Sequence, residues 1–356
     1  MRRFCCRLLL FLLALSLAAC ERSLLPRAEP TLALVTRTAQ SGDLPTPVEQ
    51  PITTIPLSGP AAHAEAEFSG LAWYGDTLIL LPQYPSRFAG GADGALLSLD
   101  KADILAYLDG ESDAPLEPES IPFVAPGLAT SIAGFEGYEA LAFHRDQLFL
   151  TIEASVAGDM RSYLVTGAVA PDLAGVRLDL STLTEIPQPI GSPNKSHESL
   201  LIARDQVVTI YEANGAAVNP APVIHRFTLD LEFIGTLPLQ SVEYRITDAT
   251  SLDAAYRFWA INYFFPGESE LEPVVDPLAE IYGRGPTHAQ YEHVERLVLL
   301  QLDAGGVHLV QGPPIQLKLA ADDARNWEGI VRLDGRGFML VTDKFPETIL
   351  AFVPGP

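Results

Sequence analysis

The chain has 356 residues, of which 48% are hydrophobic, so it is long enough and apolar enough to bury a substantial core. It carries 45 acidic and 23 basic side chains, a formal net charge of -22. This excess of negative charge argues against nucleic acid as a partner, because phosphates need basic side chains. The 27 glycines and 29 prolines favour a turn-rich, mostly β chain over a helical bundle.

The N-terminus has the features of a bacterial lipoprotein signal. An apolar run spans residues 8–19 and is too short to cross a membrane. It is preceded by three basic residues, Arg2, Arg3 and Arg7. The run closes with Leu-Ala-Ala and then Cys20, which resembles a lipobox. We therefore predict that residues 1–19 are a cleaved signal peptide and that Cys20 carries the lipid. An ordinary secretory signal is the alternative.

The predicted cleavage has consequences for the mature chain. Cys5 and Cys6 would leave with the signal, so Cys20 would be the last cysteine and no disulfide could form within the chain. Residues 20–50, rich in proline and threonine, are predicted to be a flexible tether. The residue after the cysteine is Glu21. An aspartate at this position would argue against sorting to the outer membrane, and the glutamate does not. The prediction is a bacterial envelope protein that contacts the outer membrane only through its lipid and faces the periplasm.

A repeated pattern of short strands organises the rest of the chain. Each repeat opens with a similar five-residue segment, then a tight turn, then a run of β-branched, leucine or aromatic residues. Two short strands fit this spacing and a helix does not. The opening segments span residues 68–72, 138–142, 197–201, 249–253 and 327–331.

Two further apolar runs follow in each repeat, except that the last repeat reaches Pro356 before a fourth run. Residues 52–57, ahead of the first repeat, have the composition of the missing strand. We predict that residues 51–356 form an all-β, five-bladed β-propeller with four strands per blade, in which the N-terminal strand closes the last blade. A β-sandwich, or a six-bladed ring with one degenerate unit, is the alternative.

Equivalent first-strand positions of a propeller face the central axis, so they should converge. Carboxylates and hydroxyls grouped there would repel one another without a cation, and hard oxygen ligands suit calcium better than zinc. We therefore predict a calcium site, with the alternative that each glutamate pairs locally with backbone or arginine. The predicted ligands are Ser69, Glu139, Glu198, Thr250 and Glu328.

The ends of the second strands should reach the same face, because a hairpin brings its end level with its start. These polar residues are predicted to form a collar around the axis, or else are ordinary solvent-facing residues. The collar positions are Gln83, Glu153, Glu212, Asn262 and Asp343. Cations and a histidine nearby are predicted to contact an anionic ligand, namely Arg87, Lys195, His197 and Lys344.

These blade motifs, with His197-Glu198-Ser199 and residues 327–330, resemble those of the calcium-activated nucleotidases, or apyrases. The family called esterase-like phytase resembles the chain about as well. The resemblance implies a five-bladed propeller with a central calcium. Thr250 replaces a serine of that family, and the residues after the second strands are acidic or neutral where the nucleotidases hold phosphate with basic residues.

The interval 263–294 is longer than usual connections and contains several prolines and glycines. It is predicted to be a lid or binding loop, with a disordered insertion as the alternative.

The sequence predicts a calcium-dependent hydrolase of phosphoric esters or anhydrides, with a small anionic ligand as substrate. Calcium would orient the phosphate and acidify a bound water, and Glu212 or Asp343 would be the catalytic base. The alternative is a non-catalytic, calcium-stabilised module that binds a peptide, a glycan or a partner protein. The motifs of serine esterases, zincins, P-loops and dinucleotide-binding folds are not found in the sequence.

Overall fold

A computed structural model describes residues 46–192, 194–320 and 324–356. The predicted signal peptide, the predicted lipidation site at Cys20 and most of the predicted tether lie outside the described residues. Among the residues described, no helix has the length and apolar composition needed to cross a membrane.

The described residues form mostly β-strands, with a few short helices. The strands are β1 (Thr53–Ile55), β2 (Phe68–Tyr74), β3 (Thr77–Pro82), β4 (Ala95–Asp100), β5 (Glu119–Val124), β6 (Phe135–His144), β7 (Gln147–Val156), β8 (Asp159–Val169), β9 (Val176–Ile186), β10 (Ser199–Ala203), β11 (Gln206–Ile210), β12 (Val223–Thr228), β13 (Phe233–Pro238), β14 (Arg245–Ala249), β15 (Arg257–Phe264), β16 (Val294–Asp303), β17 (Gly306–Leu309), β18 (Ile315–Gln316), β19 (Trp327–Leu333), β20 (Gly337–Thr342) and β21 (Leu350–Pro354). The α-helices are α1 (Lys101–Leu108), α2 (Leu128–Ser131) and α3 (Pro277–Tyr282).

The strands form antiparallel sheets that follow chain order. Strands β10 to β13 form one sheet, and β14 to β17 form a second, with β18 added on β16. Strands β2 to β9 form a single 8-stranded sheet, because the outer strands β5 and β9 of two antiparallel halves pair in parallel. Strand β1 pairs with β21 and completes the sheet of β19 to β21, so the N-terminal strand lies where the sequence predicts a closing strand.

Tight turns explain why each repeat folds back on itself. Two-residue turns at Gly75-Asp76, Arg145-Asp146 and Arg204-Asp205 join the first strand of a repeat to the second. The first residue of each turn has a positive φ, from 56° to 61°, as short hairpin turns require.

The innermost strands of the repeats form a closed ring. Strand β2 contacts β6, β6 contacts β10, β10 contacts β14, β14 contacts β19, and β19 returns to β2. Apolar side chains pack between neighbouring sheets; for example, Leu78 and Leu80 share a buried cluster with Met339 and Val341. A radial ring of antiparallel sheets is the architecture of a β-propeller, so the predicted all-β propeller fold is confirmed at this level.

Irregular pairing marks the same place in several innermost strands. The register shifts between Phe68 and Gly70 in β2, between Tyr138 and Leu141 in β6, and between Trp327 and Gly329 in β19. Ser69, Glu139 and Glu328 occupy these irregularities. Because a bulge re-aims a side chain, the repeat delivers a polar residue at the same point of successive strands.

The closing strand supplies a direct test of the ring. Ile55 on β1 is 1% exposed in the core, whereas Thr54 beside it is exposed. We expect Ile55→Ala to lower the free energy of unfolding by about 3 kcal/mol, because it leaves a cavity. Thr54→Ala should cost less than about 0.5 kcal/mol. Urea denaturation of both variants measures the difference, and equal stabilities would contradict a closing role for β1.

Candidate active site

Acidic side chains from several sheets line one cavity of about 490 Å³. It contains both first-strand and second-strand residues that the sequence predicts to face the axis. Those residues are Gln83, Glu139, Glu153, Glu198, Glu328 and Asp343. Glu268, from the long segment between β15 and β16, lines the same cavity. Three of the five predicted first-strand positions and three of the five predicted collar positions therefore meet in this cavity.

A buried arginine that the sequence analysis missed lies among these carboxylates. Arg245 begins β14 and is 7% exposed. Its Nη2 lies 3.0 Å from Glu198 Oε1 and 3.9 Å from Glu328 Oε1, and its Nη1 lies 3.8 Å from Glu268 Oε1. Its Nε donates to Glu212 Oε2. One guanidinium thus neutralises part of the charge of four carboxylates, which is the local pairing with arginine that the sequence left open as an alternative.

Glu212, one predicted catalytic base, is fully buried. Its Oε1 accepts a hydrogen bond from the Ser196 backbone N–H at 2.8 Å, and its Oε2 accepts from Arg245. Glu212 does not line the cavity, so the structure gives it a role in holding Arg245 rather than in contacting a ligand.

Glu139 and Glu153 form a carboxyl pair. The two side chains hydrogen-bond to each other, and Gln83 Nε2 donates to Glu139 Oε1 at 3.2 Å. Burial raises the pKa of Glu139 to about 7. Burial, followed by the negative charge of Glu139, raises the pKa of Glu153 to about 9. The pair therefore holds at least one proton at neutral pH.

Glu328 and Asp343, the second predicted base, form another acidic pair. Burial raises the pKa of both, and the charge of Asp343 is the next cause for Glu328. Asn326 Nδ2 donates to Glu328 Oε1 at 2.5 Å, and the Phe345 backbone N–H donates to Asp343 Oδ1 at 2.6 Å. Asp343 is only partly buried, so it is open to the cavity.

Thr250 lies away from the cavity. It follows the end of β14, and its hydroxyl accepts from the Trp259 N–H at 3.1 Å and donates to the Ser251 carbonyl at 3.2 Å. The irregular pairing of β14 falls between Ile246 and Ala249, so Thr247 or Asp248 takes the place that the repeat assigned to Thr250. Thr250 therefore does not occupy the axial position that the repeat predicted for it.

The predicted calcium ligands are not all together. Ser69 is buried and, like Thr250, is not a cavity-lining residue, while both oxygens of Glu198 accept from Arg245 at 3.0 and 3.2 Å. Within the described ranges, no group of three or more His, Cys, Asp or Glu side chains is arranged to hold a metal ion. The five residues do not fit a calcium cage as placed, and calcium binding stays a prediction.

Most of the residues predicted to contact an anion are committed elsewhere. Arg87 and Lys344 both pair with the buried Glu67. Lys195 is 1% exposed and its Nζ lies 2.7 Å from Glu268 Oε1. His197 is fully buried, with Nε2 at 3.3 Å from His225 Nδ1. Of the four predicted contacts, Lys344 lines the cavity.

The segment 263–294 is part of the site. It contains a short 3₁₀-helix at Ser269–Leu271 and α3, and Arg296 on β16 binds Asp276 through two hydrogen bonds of 2.7 and 3.1 Å. Phe265 and Glu268 reach the cavity. This placement agrees with a binding loop and not with a disordered insertion.

No protein-family model and no curated protein matches the sequence. Several solved structures have a similar arrangement of the chain. A putative glycoside hydrolase from Parabacteroides distasonis is 11% identical, with a TM-score of 0.47, over 89% of this chain and 95% of that one. A structure from the GH130 family of mannoside phosphorylases is 8% identical, with a TM-score of 0.47, over 89% and 92%. A glucose dehydrogenase is 11% identical, with a TM-score of 0.44, over 86% and 99%. No TM-score here reaches 0.5, so no residue role is transferred from these proteins.

The prediction of a phosphoester hydrolase is wrong. The cations that were predicted to hold phosphate, namely Arg87, Lys195 and Lys344, are each paired with a glutamate and are not free to do so. The alternative of a non-catalytic, calcium-stabilised module is not supported either, because Arg245 already supplies a positive charge among the carboxylates.

Arg245 should be essential for stability. Arg245→Met would leave several buried carboxylates without a counter-charge, so we expect a loss of about 3–5 kcal/mol in the free energy of unfolding near neutral pH. Acidification should reduce the loss, because the glutamates can then be protonated.

Urea denaturation at two pH values measures this effect. The matched control is Arg161→Met, since Arg161 makes an exposed pair with Glu185 at 3.4 Å and should contribute less than about 1 kcal/mol. Adding Glu198→Gln to Arg245→Met should restore part of the stability. A loss no larger than that of the control would show that Arg245 does not balance the cluster.

The Glu139–Glu153 pair predicts how stability depends on pH. Folding raises both pKa values from 4.5, to about 7 and about 9, so it favours the protonated forms. Their stabilising contribution is complete below about pH 4.5 and is lost as the pH rises through 7 to 9. The melting temperature of the wild type should therefore fall between about pH 5 and pH 9.

Glu153→Gln removes the carboxyl group of the pair that loses its proton at the higher pH. We expect a shallower fall, and near pH 9 a variant more stable than the wild type by on the order of 2 kcal/mol. Glu119→Gln, at an exposed position on β5, should keep the wild-type slope. Parallel pH profiles for Glu153→Gln and the wild type would contradict a buried, proton-holding pair.

Proposed function

We propose that the protein is a hydrolase of glycosidic bonds and that the axial cavity is its active site. The observation that carries this proposal is the Glu139–Glu153 pair, which keeps a proton at neutral pH in a cavity that also contains the more accessible Asp343. Glycoside hydrolysis uses two carboxyl groups, one that donates a proton and one that acts as base or nucleophile. When the environments of two carboxyl groups differ, their pKa values differ as well, so one group can act as the acid and the other as the base.

The proposed reaction needs only water and these side chains. The Glu139–Glu153 pair donates its proton to the oxygen of the leaving sugar as the bond from that oxygen to the anomeric carbon breaks. Asp343 accepts a proton from a water molecule, whose oxygen forms the new bond to the anomeric carbon. Arg245 holds Glu198 and Glu212 in place through ion pairs, so it shapes the site without exchanging a proton.

Charge favours a neutral substrate. Acidic groups outnumber basic groups among the residues that line the cavity, where Arg245 and Lys344 are the cations of the described lining. A phosphate or carboxylate ligand would be repelled by this excess, whereas a neutral sugar can donate its hydroxyl protons to carboxylate oxygens. The cavity volume, about 490 Å³, lies within the usual range of small-molecule sites.

The finer architecture is also a proposal. Five four-stranded blades account for the sheets if the 8-stranded sheet is two blades joined at β5 and β9, and if β1 belongs to the last blade. The ring of innermost strands supports this count. Attachment to the outer membrane through Cys20, a periplasmic location and a lack of affinity for nucleic acid stay predictions from the sequence.

The test is hydrolysis of a panel of 4-nitrophenyl glycosides that differ in the sugar and in the anomeric configuration. We expect release of 4-nitrophenol from at least one glycoside by the wild type. Because 4-nitrophenol is a good leaving group, natural oligosaccharides should depend more strongly on the proton donor. Glu153→Gln should lower kcat on oligosaccharides by about 100-fold, and Asp343→Asn should lower kcat on both substrate types by a similar factor.

Glu119→Gln is the control for an acidic residue outside the cavity and should keep wild-type rates. Circular dichroism would establish that each variant is folded. If the wild type releases no more product than Glu153→Gln and Asp343→Asn across the panel and the oligosaccharides, the proposed activity is wrong.

A further inference from the structure

Two exposed phenylalanines border the same cavity. Phe265 is 49% exposed and Phe345 is 56% exposed, although most large apolar side chains of the described residues are buried. Both line the cavity beside the acidic groups. Aromatic rings that stay in water next to a polar cavity expose apolar area that a ligand can cover.

Phe345 is held in place by its own backbone. Its N–H donates to Asp343 Oδ1 at 2.6 Å, and its carbonyl accepts from the Asn326 N–H at 3.0 Å. Lys344 Nζ lies 5.5 Å from the centre of the ring. The position of the ring is therefore tied directly to the carboxylate that we propose as base.

Phe265 is held by the turn that contains it. The Glu268 N–H donates to the Phe265 carbonyl at 2.9 Å. The Glu268 side chain pairs with buried Lys195 at 2.7 Å and lies 3.8 Å from Arg245. One carboxylate thus fastens this turn to the two buried cations of the site.

Gly267 allows the Phe265 ring to take its position. A Cβ atom at residue 267 would overlap the ring, so any side chain there would force the ring to turn. A glycine at this point lets the chain place an aromatic ring over its own turn and toward the cavity.

We infer that Phe265 and Phe345 form a platform that stacks against the apolar face of a sugar ring, and that the substrate is a neutral oligosaccharide. The C–H groups of a sugar ring fit against the negative face of an aromatic ring, while its hydroxyls can reach the carboxyl groups. This inference rests on the proposed function and adds the substrate class and two specificity-determining residues. Gly267 and Glu268 are positioning residues, since they act through Phe265.

The experiment measures binding separately from hydrolysis. Full-length protein carrying Glu153→Gln is titrated calorimetrically with neutral xylo-, manno-, arabino- and gluco-oligosaccharides. Adding Phe265→Ala or Phe345→Ala should weaken binding of the recognised sugar by about tenfold. Gly267→Ala should weaken binding by a similar factor, although the Phe265 ring is still present. Phe233→Ala is the matched control, because Phe233 is 51% exposed on β13 and does not line the cavity.

Steady-state kinetics with Glu153 intact give a second measurement. Each phenylalanine variant should raise KM for the oligosaccharide with kcat little changed, because the platform holds the substrate and takes no part in proton transfer. Unchanged binding and KM in Phe265→Ala and Phe345→Ala would overturn the inference while leaving the proposed hydrolase intact.

The two proposals can fail separately. If oligosaccharides bind through the phenylalanines but the wild type hydrolyses none of them, the platform stands and the proposed activity is wrong. If no oligosaccharide of the panel binds, or if Phe233→Ala weakens binding as much as the cavity variants, the platform is wrong.

Discussion

The site depends on one guanidinium placed among buried carboxylates. Arg245 pairs closely with Glu198 and Glu212 and lies within 4 Å of Glu268 and Glu328. Removing so many charges from water is costly unless each finds a counter-charge or a proton. One arginine does not balance these carboxylates, because burial raises the pKa of Glu198 and of Glu328 even beside the guanidinium. Burial likewise raises the pKa values of Glu139 and Glu153 in the same cavity.

The fold creates the imbalance by repetition. Several repeats bring two polar residues together, one at the irregular point of the first strand and one at the end of the second strand. Examples are Glu139 with Glu153 and Glu328 with Asp343. Because the innermost strands form a closed ring, these pairs face one another around a common space. This geometry disfavours the state in which all carboxyl groups of the cavity are ionised. The resulting shifts in pKa make the same groups suitable for proton transfer.

The surroundings of the cavity decide which ligands it accepts. The basic residues that were predicted to bind an anion are already paired with Glu67 or Glu268. The long segment after β15 contributes an acid and an exposed ring where a basic residue would have favoured phosphate. An acidic, partly protonated cavity bordered by aromatic rings is suited to a neutral ligand rich in hydroxyl groups, which is why a glycan is a better candidate than a nucleotide.

The strands and the turns could be predicted from the sequence, because alternation of apolar residues and turn chemistry act over a few residues. Repetition of the same unit then predicted that positions such as Gln83, Glu139 and Asp343 converge. It also indicated the N-terminal strand that pairs with β21. The electrostatics of the site, in contrast, follow from contacts that form only in the folded protein. Arg245 meets Glu198 and Asn326 across 47 and 81 residues of sequence, and an irregular strand displaced Thr250 from the axis. Charge pairing depends on which strands the closed ring brings together. A pattern that extends over a few residues cannot predict contacts between residues so far apart in the sequence.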